Sequence, residues 1–158
     1  MKKIPLTQGK FALVDDSDFE DLSRWKWYYV KKGYAVRAGR KGERTNIVSM
    51  HRQIMGDNDP RVVDHVNGNG IDNRQANLRW GTVRENGQNK TLARRSKSGY
   101  KGVYYCEQLG NWGARIVNQG KLILLGHYPD KHEAAEAYNR AALKYFGEFA
   151  KLNVIERG

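Results

Sequence analysis

Two short apolar runs, Val62-Val63 and Leu78-Arg79-Trp80, bracket a polar stretch that begins Asp64-His65 and passes through Asn67-Gly68-Asn69-Gly70. Consecutive Asn-Gly pairs supply turn geometry, so this segment has to reverse between two strands. Thr82 then opens a helix, with Glu85 three residues on as a capping partner. The order is strand, loop, strand, helix. It predicts that Asn86, in the first turns of the helix, comes back beside the strand that carries Asp64.

Such a constellation can do chemistry. A carboxylate such as Asp64 holds a hard divalent cation through oxygen, and Asn86 can add a neutral oxygen ligand. An imidazole with an ordinary pKa of roughly 6.5 accepts a proton from water near neutral pH if its tautomer is fixed, and Asn77 can supply that hold on His65. The set reads as a metal-assisted phosphodiester cutter. The bland alternative is an ordinary loop, since Asp-His followed by Asn-Gly turns also occurs without chemistry. Asn67, Asn69, Asp72 and Asn73 are turn-formers on this reading, with Asp72 and Asn73 as possible loop-stabilising groups. Glu85 is mostly a cap.

The charge says which phosphodiester. Among 158 residues, 28 Lys and Arg face 17 Asp and Glu, a net charge of +11. Residues 1–90 carry 17 basic and 11 acidic groups, and residues 91–158 carry 11 and 6. Both halves are therefore expected to meet phosphate, with double-stranded DNA as partner. A membrane-surface protein or a merely solvated face would also be basic, but no long basic amphipathic helix is visible. Met1-Lys2-Lys3 looks like the start of a signal peptide, yet Pro5, Thr7, Gln8 and Lys10 interrupt any apolar continuation. No stretch approaches transmembrane length. A cytoplasmic protein that is not secreted, has no membrane partner and needs no nucleotide cofactor is expected. Cys106 is alone, which excludes an intramolecular disulfide and a Cys-x-x-Cys zinc clamp.

The remaining segments predict an α+β architecture. Residues 10–14 and 27–38 are aromatic and β-branched and read as a small antiparallel sheet, with a short helix over 15–22 between them. Residues 47–56 place Ile47, Met50, Ile54 and Met55 on one helical face that ends at Gly56. His51 lies off that stripe and reads as structural or phosphate-contacting. Residues 91–98, with Arg94, Arg95 and Lys97, form a basic linker that can lie along a phosphate backbone. Three strand-like runs follow, over 102–106, 112–117 and 121–126, and then a helix with Asp130 as N-cap. Ala134, Tyr138, Ala141 and Tyr145 form its core face, so residues 99–153 read as a three-stranded antiparallel sheet packed on one helix.

Two resemblances attach to these segments. Asp64-His65, Asn77-Leu78-Arg79-Trp80 and Glu85-Asn86 resemble the HNH homing endonucleases in their His-Asn-Asn form, as found in phages and mobile elements. The resemblance implies a ββα-metal core within an endonuclease domain over residues 1–90 that begins with a β-rich leader, His65 as general base, Asp64 and Asn86 as ligands of one Mg2+ or Mn2+ ion, and Asn77 as the residue that orients the His65 loop. The Cys pairs of zinc-stapled relatives are missing. Residues 99–153, through Gly99-Tyr100-Lys101-Gly102-Val103, Trp112-Gly113-Ala114-Arg115-Ile116, Leu125-Gly126-His127-Tyr128 and Leu152-Asn153, resemble the ethylene-response-factor DNA-binding domain. That resemblance implies a sheet face that reads bases, with Lys101, Tyr104 or Tyr105, Trp112, Arg115 and Lys121 as contacts. Tyr104, Val117 and Leu122 stand where plant members often carry Arg. The expected whole is a site-directed DNA endonuclease. A catalytically silent DNA-binding regulator is the alternative, and an RNA-directed nuclease a weaker one.

Overall fold

The computed structural model describes residues 1–43, 45–56, 58–88 and 97–156. The chain forms two units, Met1–Asn86 and Gly87–Gly158. Arg94, Arg95 and the linker positions 91–96 lie outside the described residues. Lys97 is exposed, but Ser98 is buried and its hydroxyl donates to the carbonyls of Tyr100 and Val103, so residue 98 already belongs to the second unit rather than to a linker.

The first unit opens with a hairpin of β1 (Lys2–Pro5) and β2 (Phe11–Val14), paired from Lys2 opposite Val14 to Pro5 opposite Phe11. Its alternation sends Ile4, Ala12 and Val14 inward. Helix α1 (Asp16–Ser23) follows and buries Leu22, whose carbonyl accepts the Trp27 indole N–H at 2.8 Å. A second sheet is built from β3 (Tyr28–Tyr29), β4 (Ala35–Ala38) and β5 (Ile47–Ser49), in that order and antiparallel. Helix α2 therefore spans only Met50–Met55. The helix expected from residue 47 starts three residues later because β-branched Ile47 and Val48 pair with Ala38 and Arg37, which leaves Ile47 64% exposed. The core is Ile4, Leu6, Ala12, Val14, Leu22, Trp27, Ala35 and Met50.

Onto this leader fold the strands β6 (Val62–His65) and β7 (Leu78–Gly81) and the helix α3 (Val83–Gln88). The register pairs Val62 with Gly81 and His65 with Leu78, so Asp64 lies directly opposite Arg79. Thr82 and Glu85 form the expected capping box. The Thr82 N–H donates to Glu85 Oε2 at 2.7 Å, and the Glu85 N–H donates to Thr82 Oγ1 at 3.2 Å.

The second unit is a sheet of β8 (Val103–Cys106), β9 (Asn111–Asn118) and β10 (Lys121–Tyr128), ordered β10-β9-β8 and antiparallel, under α4 (Lys131–Phe146). Asp130 caps α4 by accepting from the His132 N–H at 2.7 Å. Small side chains at 134, 135, 141 and 142 let the helix sit close on the sheet, and Tyr138 fills the space between them. Tyr145 is not in the core as expected. It is 37% exposed, because eight residues beyond Tyr138 the inward position falls on Phe146. The tail closes the unit where Asn153 accepts the Lys101 N–H at 2.7 Å and donates to its carbonyl at 3.1 Å. Among the described residues no helix is long and apolar enough to cross a membrane.

Gly102 marks the tightest approach in this unit. Its φ is +76°, and a methyl group there would fall 2.1 Å from the Tyr138 ring and 2.6 Å from the Arg115 carbonyl oxygen. Gly102→Ala is expected to cost about 1–3 kcal/mol, read as a lower midpoint for the second unit in thermal unfolding.

Candidate active site

The loop between β6 and β7 is ordered by its own asparagines. Asn67 Oδ1 accepts the Asn69 N–H at 2.8 Å, and Asn69 Oδ1 accepts the Ile71 N–H at 3.3 Å, both local turns in which a side chain stands in for main chain. Asp72 is 2% exposed and accepts two bonds from Arg74, at 2.7 and 2.6 Å, and one from Asn67 Nδ2 at 2.8 Å. The Arg74 guanidinium lowers the Asp72 carboxyl below the usual range. The loop also pairs with the leader. The Leu13 N–H donates to the Ile71 carbonyl and the Asn73 N–H to the Leu13 carbonyl, both at 2.8 Å, a parallel bridge on the edge of β2. The Gln75 N–H is taken by Asp15 at 2.7 Å.

Asn77 spends its side chain on this loop. Its Oδ1 accepts the Asn67 N–H at 3.0 Å, and its Nδ2 donates to Asn67 Oδ1 at 3.1 Å and to the Asp72 carbonyl at 2.8 Å. It thus holds the main chain around the turn but not the imidazole. The group that meets the ring is Asn73, which the sequence presents as a turn-former or loop-stabilising group. Asn73 is completely buried, and its Oδ1 lies 3.2 Å from His65 Nε2. An amide oxygen can only accept, so Nε2 carries the proton and Nδ1 is the basic nitrogen. The only sequence signal was position: Asn73 sits where the loop returns to the leader.

His65 is 4% exposed. Burial pushes its pKa down, and the Asn73 bond together with the nearby Asp64 and Asp72 partly offsets this. Two residues far from the motif complete its surroundings. The His51 ring on α2 stands edge-on to the His65 ring at 5.0 Å between centroids, and Tyr34 lies 5.4 Å from His51 and 5.8 Å from His65. His51 is driven down to about 3, first by burial and then by the charges of His65 and Arg52. Among the described residues, His51 Nδ1 and Asn73 Nδ2 are buried polar atoms with no hydrogen-bond partner. Both lie in the groups that touch the candidate base.

Asp64 is 3% exposed and accepts from Arg79 Nε at 3.0 Å and Nη2 at 2.7 Å, both on Oδ2. Arg79, unassigned in the sequence reading, therefore fixes the orientation of this carboxylate. Asn86 is half-buried one turn into α3, where its N–H donates to the Thr82 carbonyl at 3.0 Å. No cluster of three or more His, Cys, Asp and Glu side chains forms a metal cage among the described residues. Asp64 offers a carboxylate and Asn86 a carboxamide, oxygen donors of the kind a Mg2+-type ion takes beside waters and substrate phosphate oxygens.

In the second unit the sheet has two unlike faces. Alternation puts Tyr104, Arg115, Val117, Leu122, Leu124 and His127 on the outer face, away from α4. Tyr104 lies across Gly113, with the Arg115 guanidinium 4.9 Å from its ring. Trp112, matched above to a DNA-facing residue, packs instead on the helix side against the Val103 and Ala134 cluster, edge-on to Tyr105 at 5.1 Å. Lys101 is partly buried, and burial followed by the charge of Lys151 lowers its pKa. Lys121 is exposed at the β9–β10 turn.

Residues 56–88 match the family model for HNH endonucleases. An uncharacterized HNH endonuclease of Acanthamoeba polyphaga mimivirus is 32% identical over 155 residues, which cover 94% of this chain and 78% of that protein. A separate segment is 42% identical over 62 residues to the AP2-like ethylene-responsive transcription factor TOE2 of Arabidopsis thaliana, covering 39% of this chain and 13% of that factor. An AP2/ERF and B3 domain-containing protein of Oryza sativa is 43% identical over 61 residues, 39% of this chain and 16% of its own length.

The two depressed histidines have a measurable consequence. Their folded-state pKa values lie below the unfolded value of roughly 6.5, so acid puts protons on the unfolded chain first and stability falls as pH drops from 6.5 toward 3. For His51 alone the loss by pH 5 is about 1–2 kcal/mol. In urea titrations at pH 7 and pH 5, His51→Phe should lose less stability on acidification than the parent does.

Proposed function

Because the chain belongs to the HNH endonuclease family, we propose that it is a site-directed DNA endonuclease that hydrolyses phosphodiester bonds with one divalent ion and His65 as general base. The observation that carries this reading is the buried His65 ring, proton-fixed at Nε2 by Asn73 and next in sequence to an Arg-anchored carboxylate. A buried imidazole that gains no charge on folding is a base ready at neutral pH. Water would give its proton to Nδ1, the hydroxide oxygen that remains would bond to phosphorus as the phosphorus–oxygen bond to one sugar breaks, and the departing sugar oxygen would take a proton from solvent.

Asp64 and Asn86 are the residues that would hold Mg2+ or Mn2+. When bound, such an ion supplies charge stabilisation at the phosphate and its leaving oxygen. Arg79 keeps the Asp64 carboxylate pointed, and Asn77 keeps the loop shaped so that Asn73 reaches the ring. The second unit, with its similarity to AP2-like transcription factors, anchors the enzyme on duplex DNA and raises the effective concentration of the cutting unit at that duplex. The reading includes action inside a bacterial or phage-infected cell, in homing or genome processing, and the mimivirus relative supports a viral setting alone.

The alternative is a regulator that keeps the fold and has lost the chemistry. An intact Asp64, His65, Asn73 and Asn86 set disfavours it. Supercoiled plasmid incubated with Mg2+ separates the two. The parent should nick it and chelator should stop this, while His65→Ala should be slower by a factor on the order of 100–10,000. Equal conversion by parent and variant would remove the assignment.

Two further variants divide the roles. Asn73→Ala leaves the ring unheld, so nicking should slow at least about tenfold while far-ultraviolet circular dichroism is unchanged. For the parent, the acid limb of the rate should lie below the ordinary imidazole value, because neutral His65 is the active form and burial lowers its pKa. Asn86→Ala should raise the Mg2+ concentration needed for half-maximal rate. It tests the metal site more cleanly than a change at Asp64, which would strand half-buried Arg79 without its partner.

A further inference from the structure

The outer face of the second unit's sheet carries an apolar stripe that its fold does not use. Val117, Leu122 and Leu124 are 57%, 61% and 57% exposed, although the helix side of the same sheet is packed. Val117 stands directly opposite Leu122, and Leu124 opposite Arg115, so the four side chains form one contiguous patch. The neighbouring end of that face is polar, with Tyr104 stacked by Arg115 and His127 within 3.2 Å of Asn111. At the edge of the stripe an open hollow of about 320 Å³ is lined in part by Lys101, Arg115, Val117 and Leu122.

Positive charge is uncompensated on this face. No Asp or Glu occurs in β8, β9 or β10, whereas Arg115, Lys121 and His127 do. In α4 and its cap the acidic Asp130, Glu133 and Glu136 are balanced by Lys131, Arg140 and Lys144, and Glu107, Glu148 and Glu156 lie in the connections. The sheet is thus the face of the unit whose own charge suits a polyanion. Exposed leucines cannot hold phosphates. What they can meet on duplex DNA is the one apolar group the major groove displays, the 5-methyl of thymine.

We propose that Val117, Leu122 and Leu124 read thymine methyl groups in the major groove, so that this unit prefers a T-bearing tract flanked by the base or phosphate that Arg115 meets. The inference rests on the duplex-anchoring role proposed above and adds the base class it selects. Leu122 and Leu124 are two residues apart on one strand, roughly 7 Å, which is two base-pair steps. The cross-strand partner Val117 broadens the stripe to a neighbouring position. Two or three adjacent methyl contacts are the expected footprint.

The test uses the full chain without divalent ion, so that nothing is cut. Duplexes selected from a randomised library are bound again with each thymine replaced by deoxyuridine, which deletes the methyl and leaves every hydrogen-bonding edge in place. Affinity should fall about fourfold per methyl contacted, the value of one buried methyl group. Leu122→Ala/Leu124→Ala should weaken the thymine duplex and lose that discrimination while binding the deoxyuridine duplex like the parent. Unchanged affinity on deoxyuridine substitution overturns the inference and leaves the anchoring role standing. Failure to bind any duplex overturns both. A dimer in solution that Leu124→Lys converts to monomer also overturns it, since a second copy would then cover the stripe.

Discussion

One hydrogen bond, from the buried His65 ring to the Asn73 amide, organises the candidate site of the first unit. A neutral imidazole inside a protein has two nitrogens of opposite character, and only a partner decides which one carries the proton. Asn73 can make that decision because it is itself immobile. Its side chain is fully buried and its N–H is fixed to Leu13 of the leader hairpin. The leader, which contains none of the motif residues, therefore sets the geometry of the His65 ring.

The loop that delivers Asn73 is costly to order, since each fixed residue gives up about 1–2 kcal/mol of backbone entropy. Asparagines offset this by imitating the main chain: Asn67, Asn69 and Asn77 close successive turns, and buried Asp72 gathers Arg74 and Asn67. Gly70 is required at the crowded point where a side chain would strike the Gly33 carbonyl and the Tyr34 ring. The Arg79–Asp64 pair works in the same way across the two strands. Its worth lies less in net stability, which buried pairs seldom provide, than in holding the Asp64 carboxylate in one orientation next to His65.

Much of this was legible in the sequence, and the failures have physical reasons. The strands flanking the motif, the Thr82–Glu85 cap and the three-strand-plus-helix plan of the second unit all follow from local rules of turn, alternation and capping. Where two local rules competed, the structure chose: Ile47 could continue a helical stripe or pair as a strand, and its partners in β4 decided. Tyr145 and Phe146 differ by one position on a helix face, which short spacing arguments do not resolve. Asn73, Arg79 and Tyr34 escaped for a different reason. Their roles depend on contacts between distant segments, and nothing local separates a buried asparagine that aims a ring from one that merely turns the chain. Trp112 likewise looked like a contact residue until the pairing register placed it on the helix side of the sheet.

The central claim is that His65 is a neutral base with its proton on Nε2. Nitrogen-15 NMR of the full chain labelled at histidine reads both properties at once, tautomer from the two ring shifts and titration from their movement with pH. The account predicts an Nε2-protonated ring whose midpoint lies below 6.5, and Asn73→Ala should mix the tautomers. An Nδ1-protonated ring, or a midpoint above 6.5, would contradict it.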